Sequence, residues 1–215
     1  MFDILIANGH LLLAGAVVTL YLSAGAAAMA AVLGAGLALL QLFAFWPLRL
    51  LVEAYLYIMR GVPLLVLLFA MYYMLPYAGV NVNPTAGGMV VIALYFSAFM
   101  SEVFRGAILA VPKGQWDAAR ALGMFGRTMM VIVVAPQALR LAGPPFVNTC
   151  IMLVKGTSLV SIIGLLEVTM AGRQIVERTL APFQIFTGVA VIYFLICYSL
   201  SVYGRYLERR TSYVH

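Results

Sequence analysis

Long apolar stretches alternate with short polar segments along this chain. Leu11 to Leu40 is one uncharged run rich in Ala and Gly. As a helix it would measure ~45 Å against a hydrocarbon core of ~30 Å, so it holds one tilted span and not two. Its small residues, among them Gly15, Gly25, Gly34 and Gly36, let neighbouring helices approach closely. After a break at Trp46, Pro47 and Arg49, Glu53 to Pro76 predicts a second span. A polar knot of Glu53, Arg60, Gly61 and Pro63 opens it, and Tyr72, Tyr73 and Tyr77 form an aromatic belt at its far end. An uncharged turn, Ala78 to Pro84, leads to a third span from about Ala86 to Val111, with Glu102 and Arg105 near its end.

A polar island follows, Lys113 to Arg140, carrying Lys113, Asp117, Arg120, Arg127 and Arg140 and punctuated by Gly114, Gly123, Gly126 and Pro136. Asp117 to Gly123 predicts a short helix with an acidic residue in its first turn and a glycine to end it. Arg127 to Ala135 predicts a second helix, stopped by Pro136. The product is a helix–glycine–helix hairpin on a membrane surface, with a smooth Ala face for another protein. Leu141 to about Leu166 is a fourth apolar stretch, kinked at its start by Pro144 and Pro145. Lys155-Gly156-Thr157-Ser158 interrupts it, and an unwound helix at that depth is tolerated only against protein or a water-filled cavity. Glu167 to Arg178 is a polar connection, Pro182 to Tyr203 a fifth span, and the tail is basic.

Composition fits this picture. Of 215 residues 65% are hydrophobic and 9% charged, where a soluble domain has roughly 25% charged. The chain reads as one transmembrane domain over residues 1–215, all-α, with five spans. The net charge of +6 gathers beside the spans and lacks interleaved aromatics, so it points to membrane lipid and not to nucleic acid. Arg49, Arg60, the island's cations, Arg205, Arg209 and Arg210 fall on one side. Arg173 and Arg178 on the other are offset by Glu167 and Glu177. The positive-inside rule then puts the island and the C-terminus in the cytoplasm and the N-terminus outside. Cys150 and Cys197 sit in apolar segments without metal-ligand spacing, and His10 and His215 lie near opposite ends, so neither a metal site nor a catalytic cluster is visible. The first residues lack the basic region of a cleavable signal.

The island resembles the EAA loop of ABC-importer permeases, whose pattern is E-A-A, three residues, G, nine residues, then I-x-L-P. Here Asp117-Ala118-Ala119 precedes Gly123 at that spacing, and Val133-Val134-Ala135-Pro136 closes it. RGVPLLVLL (Arg60 to Leu68) is similar to the R-G-T-P-L-L-V-Q-L of permeases for histidine, glutamine, arginine and related polar solutes. SEVFRGAILAVPKGQWDAARALG (Ser101 to Gly123) is similar to their S-E-I-F-R-G-G-I-x-x-V-P-x-G-x-x-E-A-A-x-A-L-G. PQALR (Pro136 to Arg140) and KGTSLVSIIG (Lys155 to Gly164) match L-P-Q-A-L-R and K-D-T-S-L-x-S-x-I-G. Val62 and Leu67 replace the family's Thr and Gln, and Gly156 stands where Asp is common.

The resemblance implies a type I ABC importer permease in a bacterial cytoplasmic (inner) membrane. It would carry a polar amino acid or a derivative by alternating access. The implied partners are a dimer of cytoplasmic ABC ATPases, a second permease subunit, identical or paralogous, and a periplasmic or extracellular solute-binding protein. No Walker A loop occurs in this sequence. The chain is therefore expected to bind no cofactor and to be no enzyme, with ATP and Mg on the partner. Asp117, Ala118, Ala119, Ala121 and Gly123 are the expected ATPase-docking surface. Glu102 and Arg105, three apart on one helix, are expected to pair, either anchoring the span to the island or acting as a gate. Lys155 carries a charge near mid-bilayer, at a cost of at least ~2.5 kcal/mol. With Thr157 and Ser158 it either lines a substrate pathway or holds a buried structural pair. Glu167 either meets a solute cation or faces external water. A secondary transporter for a small zwitterionic solute is the alternative. It would want acidic residues in several spans and an internal repeat, and the sequence has neither.

Overall fold

A computed structural model describes residues 3–211. His215 and the side chain of Arg210 lie outside the described residues. After a short helix α1 (Asp3–Ala7), α2 (Gly9–Phe43) runs unbroken for 35 residues, about 52 Å at 1.5 Å per residue. Its main partner is α6 (Pro84–Leu109), also apolar enough to cross a membrane. Gly34 sets how closely they cross. A Cβ there would stand 2.8 Å from the Met100 Cβ and 3.0 Å from the Ser97 carbonyl oxygen, so only glycine lets the two backbones meet.

The second span differs from its expected form. Instead of one helix from Glu53 to Pro76, α3 (Trp46–Gly61) and the segment Leu64–Tyr77 meet at a bend of 102°. The cause is local. Val62 precedes Pro63 and is extended (φ −95°, ψ 131°), because a proline ring excludes the α conformation from the residue before it. Glu53 therefore lies on a separate helix that is strapped to α6 by Tyr55. The Tyr55 hydroxyl donates to the Leu94 carbonyl at 2.9 Å and lies 2.9 Å from the Ser97 hydroxyl. Beyond the bend, α4 (Leu64–Phe69) passes through a π-helical turn (Ala70–Met74) into α5 (Leu75–Tyr77).

The island also folds differently. Its first helix, α7 (Lys113–Ala121), begins four residues before Asp117, leaving no acidic residue in the first turn. Its second arm does not stop at Pro136. α8 (Gly126–Met129), a π-helical turn (Met130–Val134) and α9 (Ala135–Gly156) follow one another through Pro136, Pro144 and Pro145. With the 3-10 segment Thr157–Ile163, they make one apolar stretch, Gly126–Ile163, long enough to cross a membrane. Each π turn lies two residues before a proline, Pro76 or Pro136. That proline cannot donate a hydrogen bond, and its ring would crowd the carbonyl four residues back in an α-helix; the wider turn relieves both.

α10 (Val168–Thr179) and α11 (Pro182–Thr211) complete the bundle. The central core joins Leu22, Ala26 and Ala30 of α2 to Ile92, Phe96 and Met100 of α6, with Leu64, Leu68, Leu153 and Val160 filling in. Large apolar residues on the outer faces, such as Val17, Val32, Phe194 and Leu195, remain exposed. The described residues hold four helices long and apolar enough to cross a membrane, five spans when the bent pair counts as one.

Candidate functional site

The bend that splits the second span also builds the polar site. It aims Arg60, in the last turn of α3, at Glu102 on α6. A cavity of about 540 Å³ opens between these helices and the end of α2, lined by Gln41, Arg49, Glu53, Arg60, Glu102 and Arg105 with a few apolar residues. Three guanidinium groups face two carboxylates, which leaves one positive charge in excess.

The two oxygens of Glu102 are unequally engaged. Oε2 accepts from Arg105, from Nη2 at 2.6 Å and Nε at 3.2 Å. Oε1 is held loosely, by Gln41 Nε2 at 3.4 Å and Arg60 Nη1 at 3.7 Å. Gln41 is oriented in turn by Ser101, whose hydroxyl donates to it at 3.0 Å. The expected Glu102–Arg105 pair is thus present, and Arg60 extends it. The three side chains are 29 to 36% exposed, so water reaches them and the pairs are weaker than buried ones. Chemically, the site offers a carboxylate oxygen with spare capacity beside a guanidinium group. That combination suits an ammonium and a carboxylate on one small solute.

The hairpin is the second site. α7 ends in a Schellman motif: Met124 N–H bonds to the Ala119 carbonyl and Gly123 N–H to the Arg120 carbonyl, both at 2.9 Å, with Gly123 at φ +73°. Gly123 thus ends the helix, as its position predicted. Asp117, Ala118, Ala121 and Gly123 are exposed, whereas Ala119 is buried and seats the helix on the bundle. Asp117 pairs with Arg120 at 3.1 Å, and Gln137 ties the following span to Gln115 at 3.3 Å.

The Lys155 region divides. Gly156 packs against Phe96 and Leu64, where a Cβ would come within 3.2 and 3.3 Å. Phe96 lies halfway along α6, so Lys155 stands near mid-depth. Lys155 is exposed on this chain and pairs with no carboxylate among the described residues, so it does not form the buried pair. Thr157 is fully buried and donates to the Val154 carbonyl, and Ser158 donates to that of Lys155, each at 2.7 Å.

Glu167 is wholly buried, so it does not face external water. It caps α10 by accepting Met170 N–H at 2.8 Å, and its other oxygen accepts the Tyr193 hydroxyl at 2.7 Å and that of Thr19 at 3.5 Å. Burial pushes its carboxyl above the usual range, while the hydrogen bonds from Thr169, Tyr193 and Met170 oppose the shift.

The sequence pairs Glu102 with Arg105 and gathers Glu53 and Arg60 into one polar knot, but nothing in it joins that knot, Arg49 or Gln41 to Glu102. The available signal was the Arg-Gly-x-Pro break at Arg60 to Pro63, a helix end with a cation in its last turn.

The family described as binding-protein-dependent transport system inner membrane component matches residues 30–213. The L-cystine transport system permease protein TcyB of Bacillus subtilis (strain 168) is 39% identical, over 76% of this chain and 70% of that protein. The probable glutamine ABC transporter permease protein GlnM of the same organism is 34% identical over 97% and 96%. A crystal structure of an amino acid ABC transporter with histidines superposes with a TM-score of 0.92 at 31% identity, covering 98% of both chains. An inward-facing MetNI methionine ABC transporter shares the fold, with a TM-score of 0.82 at 21% identity over 98% and 99%.

Proposed function

Because the chain belongs to the binding-protein-dependent transport system inner membrane components, we propose that it passes a polar amino acid or derivative through the Arg60–Glu102 cavity. It is the permease subunit of an amino-acid ABC importer, a multi-pass inner-membrane protein and not an enzyme. The observation that carries the substrate reading is the half-engaged Glu102 Oε1 beside Arg60. A zwitterion entering here sets its ammonium group against Oε1 and its carboxylate against the Arg60 guanidinium. Arg105 holds Glu102 in place throughout. This leaves Lys155, exposed at mid-depth, as a second cation on the solute's route, with Thr157, Ser158 and Glu167 shaping the helices around it.

The drive comes from outside the chain. In this reading the whole chain acts as one transmembrane domain, with its N-terminus outside and the α7 hairpin and C-terminus in the cytoplasm, where the basic residues gather. A cytoplasmic ATPase pair that binds ATP and Mg grips Asp117, Ala118, Ala121 and Gly123 of two permease subunits. Ala119 and the Gln115–Gln137 contact transmit its closure to the span that starts at Gly126. The bundle then rocks between inward and outward states, and a solute-binding protein delivers the solute from outside.

The test is uptake of labelled amino acids into proteoliposomes holding the permease, its ATPase and its solute-binding protein. ATP-dependent uptake that E102Q lowers while binding-protein-stimulated ATP hydrolysis persists is the expected result. Uptake indifferent to both E102Q and R60A would sink the assignment of the cavity.

A further inference from the structure

The chain carries another concave surface, which shares no lining residue with the Arg60–Glu102 cavity. Two apolar cavities, of about 700 and 320 Å³, meet beside the last turns of α2 and share Leu39, Met130 and Val131. Neither contains an acidic residue. The larger one changes character at one end, where Arg127 and Trp116 line it. Arg127 is exposed and has no hydrogen-bond or ion-pair partner among the described residues. Phe43, Phe45 and Trp46 stand exposed around the same elbow, the belt of aromatics that marks the headgroup level of a bilayer.

We propose that this groove binds an anionic phospholipid, one acyl chain along Leu39, Met130 and Val131 and the headgroup phosphate on Arg127. Three observations select this occupant. The exposed residues beside the groove on α2, Val32 and Leu33, continue its apolar surface along a membrane span. The charge sits only at the end where the aromatics place the headgroups, and a guanidinium matches a phosphate bidentately. Trp116 lies about 160° around α7 from Ala118, so a lipid here leaves the exposed Ala face free for a protein. Because the groove joins α2 to the hairpin, a bound lipid braces the hairpin against the bundle.

Native mass spectrometry of the transporter, purified with its ATPase in a neutral detergent, tests this. Phosphatidylglycerol and phosphatidylcholine of identical acyl chains are titrated in turn. The expected result is an adduct about fivefold tighter with phosphatidylglycerol, the factor that one interfacial cation supplies. R127Q removes that preference and R127K keeps most of it, while V131W weakens both lipids. Equal retention of the two lipids, or a phosphatidylglycerol preference that survives R127Q, overturns the proposal. So does protection of R127C from a water-soluble maleimide in the lipid-free complex, since a protein would then fill the site. None of these readouts requires solute transport, so the inference can fail while the transport reading stands, and the reverse.

Discussion

The Arg60 guanidinium stands 3.7 Å from the Glu102 carboxylate although the two belong to different helices separated by a sharp bend. Arg105 holds the same carboxylate at 2.6 Å. The looser partner can be exchanged for a solute without stripping Glu102 of its counter-charge. Glu102→Gln removes the charge and keeps the shape. The expected outcome is uptake reduced about 10- to 100-fold, the worth of one charged hydrogen bond. Arg60→Lys is expected to lose less than Arg60→Ala, because it keeps the charge but not the planar fork.

Gly123 is needed for its backbone and not for space. It sits at φ +73° with nothing within 4 Å of where a Cβ would be. Gly123→Val forces a β-branched residue into the left-handed region, at about 1–2 kcal/mol, and frays the end of α7. ATPase co-purification is expected to drop several-fold while the thermal midpoint of the permease alone barely moves. Gly123→Asn, which tolerates this conformation, is expected to keep most of the binding.

Glu167 makes stability depend on pH. Burial raises its carboxyl in the folded state, so the native protein holds a proton that the unfolded chain releases first. Its contribution is complete below the ordinary carboxylate range and declines as pH rises through the raised value. Glu167→Gln should flatten that decline, measured as thermal midpoint against pH in detergent. Glu167→Ala should cost about 1–3 kcal/mol at all pH values, since the α10 cap is lost and the Tyr193 hydroxyl left without its acceptor.

Gly34 sets the crossing of α2 and α6. Gly34→Val would drive a side chain into the Ser97 carbonyl and Met100, whose nearest atoms lie 3.0 and 2.8 Å from its Cβ. Overpacking of this kind costs about 1–3 kcal/mol, visible as a lower thermal midpoint and early aggregation by size-exclusion chromatography. Gly36→Val, on the same helix but with nothing within 4 Å, is the control expected to leave the midpoint near wild type.

Much of this protein was legible in its residues alone. Apolar runs of 20 or more residues fix spans because a bilayer leaves a backbone no other way to satisfy its hydrogen bonds. Four of the spans, the Gly123 helix end and the Glu102–Arg105 pair followed from that and from helical spacing. The hairpin motif also carried the family, because its residues recur at fixed intervals along one chain.

The bundle decided the rest. Whether Val62-Pro63 merely opens a span or turns it through 102° depends on what α3 packs against, and Tyr55 supplies that anchor on α6. Pro136 reads locally as a stop, yet a π turn absorbs it because the packed helix on both sides favours continuation. Gln41, Arg60 and Glu102 lie far apart in the chain and share no periodicity. Only the crossing of α2, α3 and α6 brings them to one cavity. Glu167 shows the same division: its charge was plain in the sequence, and its burial under Thr19 and Tyr193 was a property of three helices meeting.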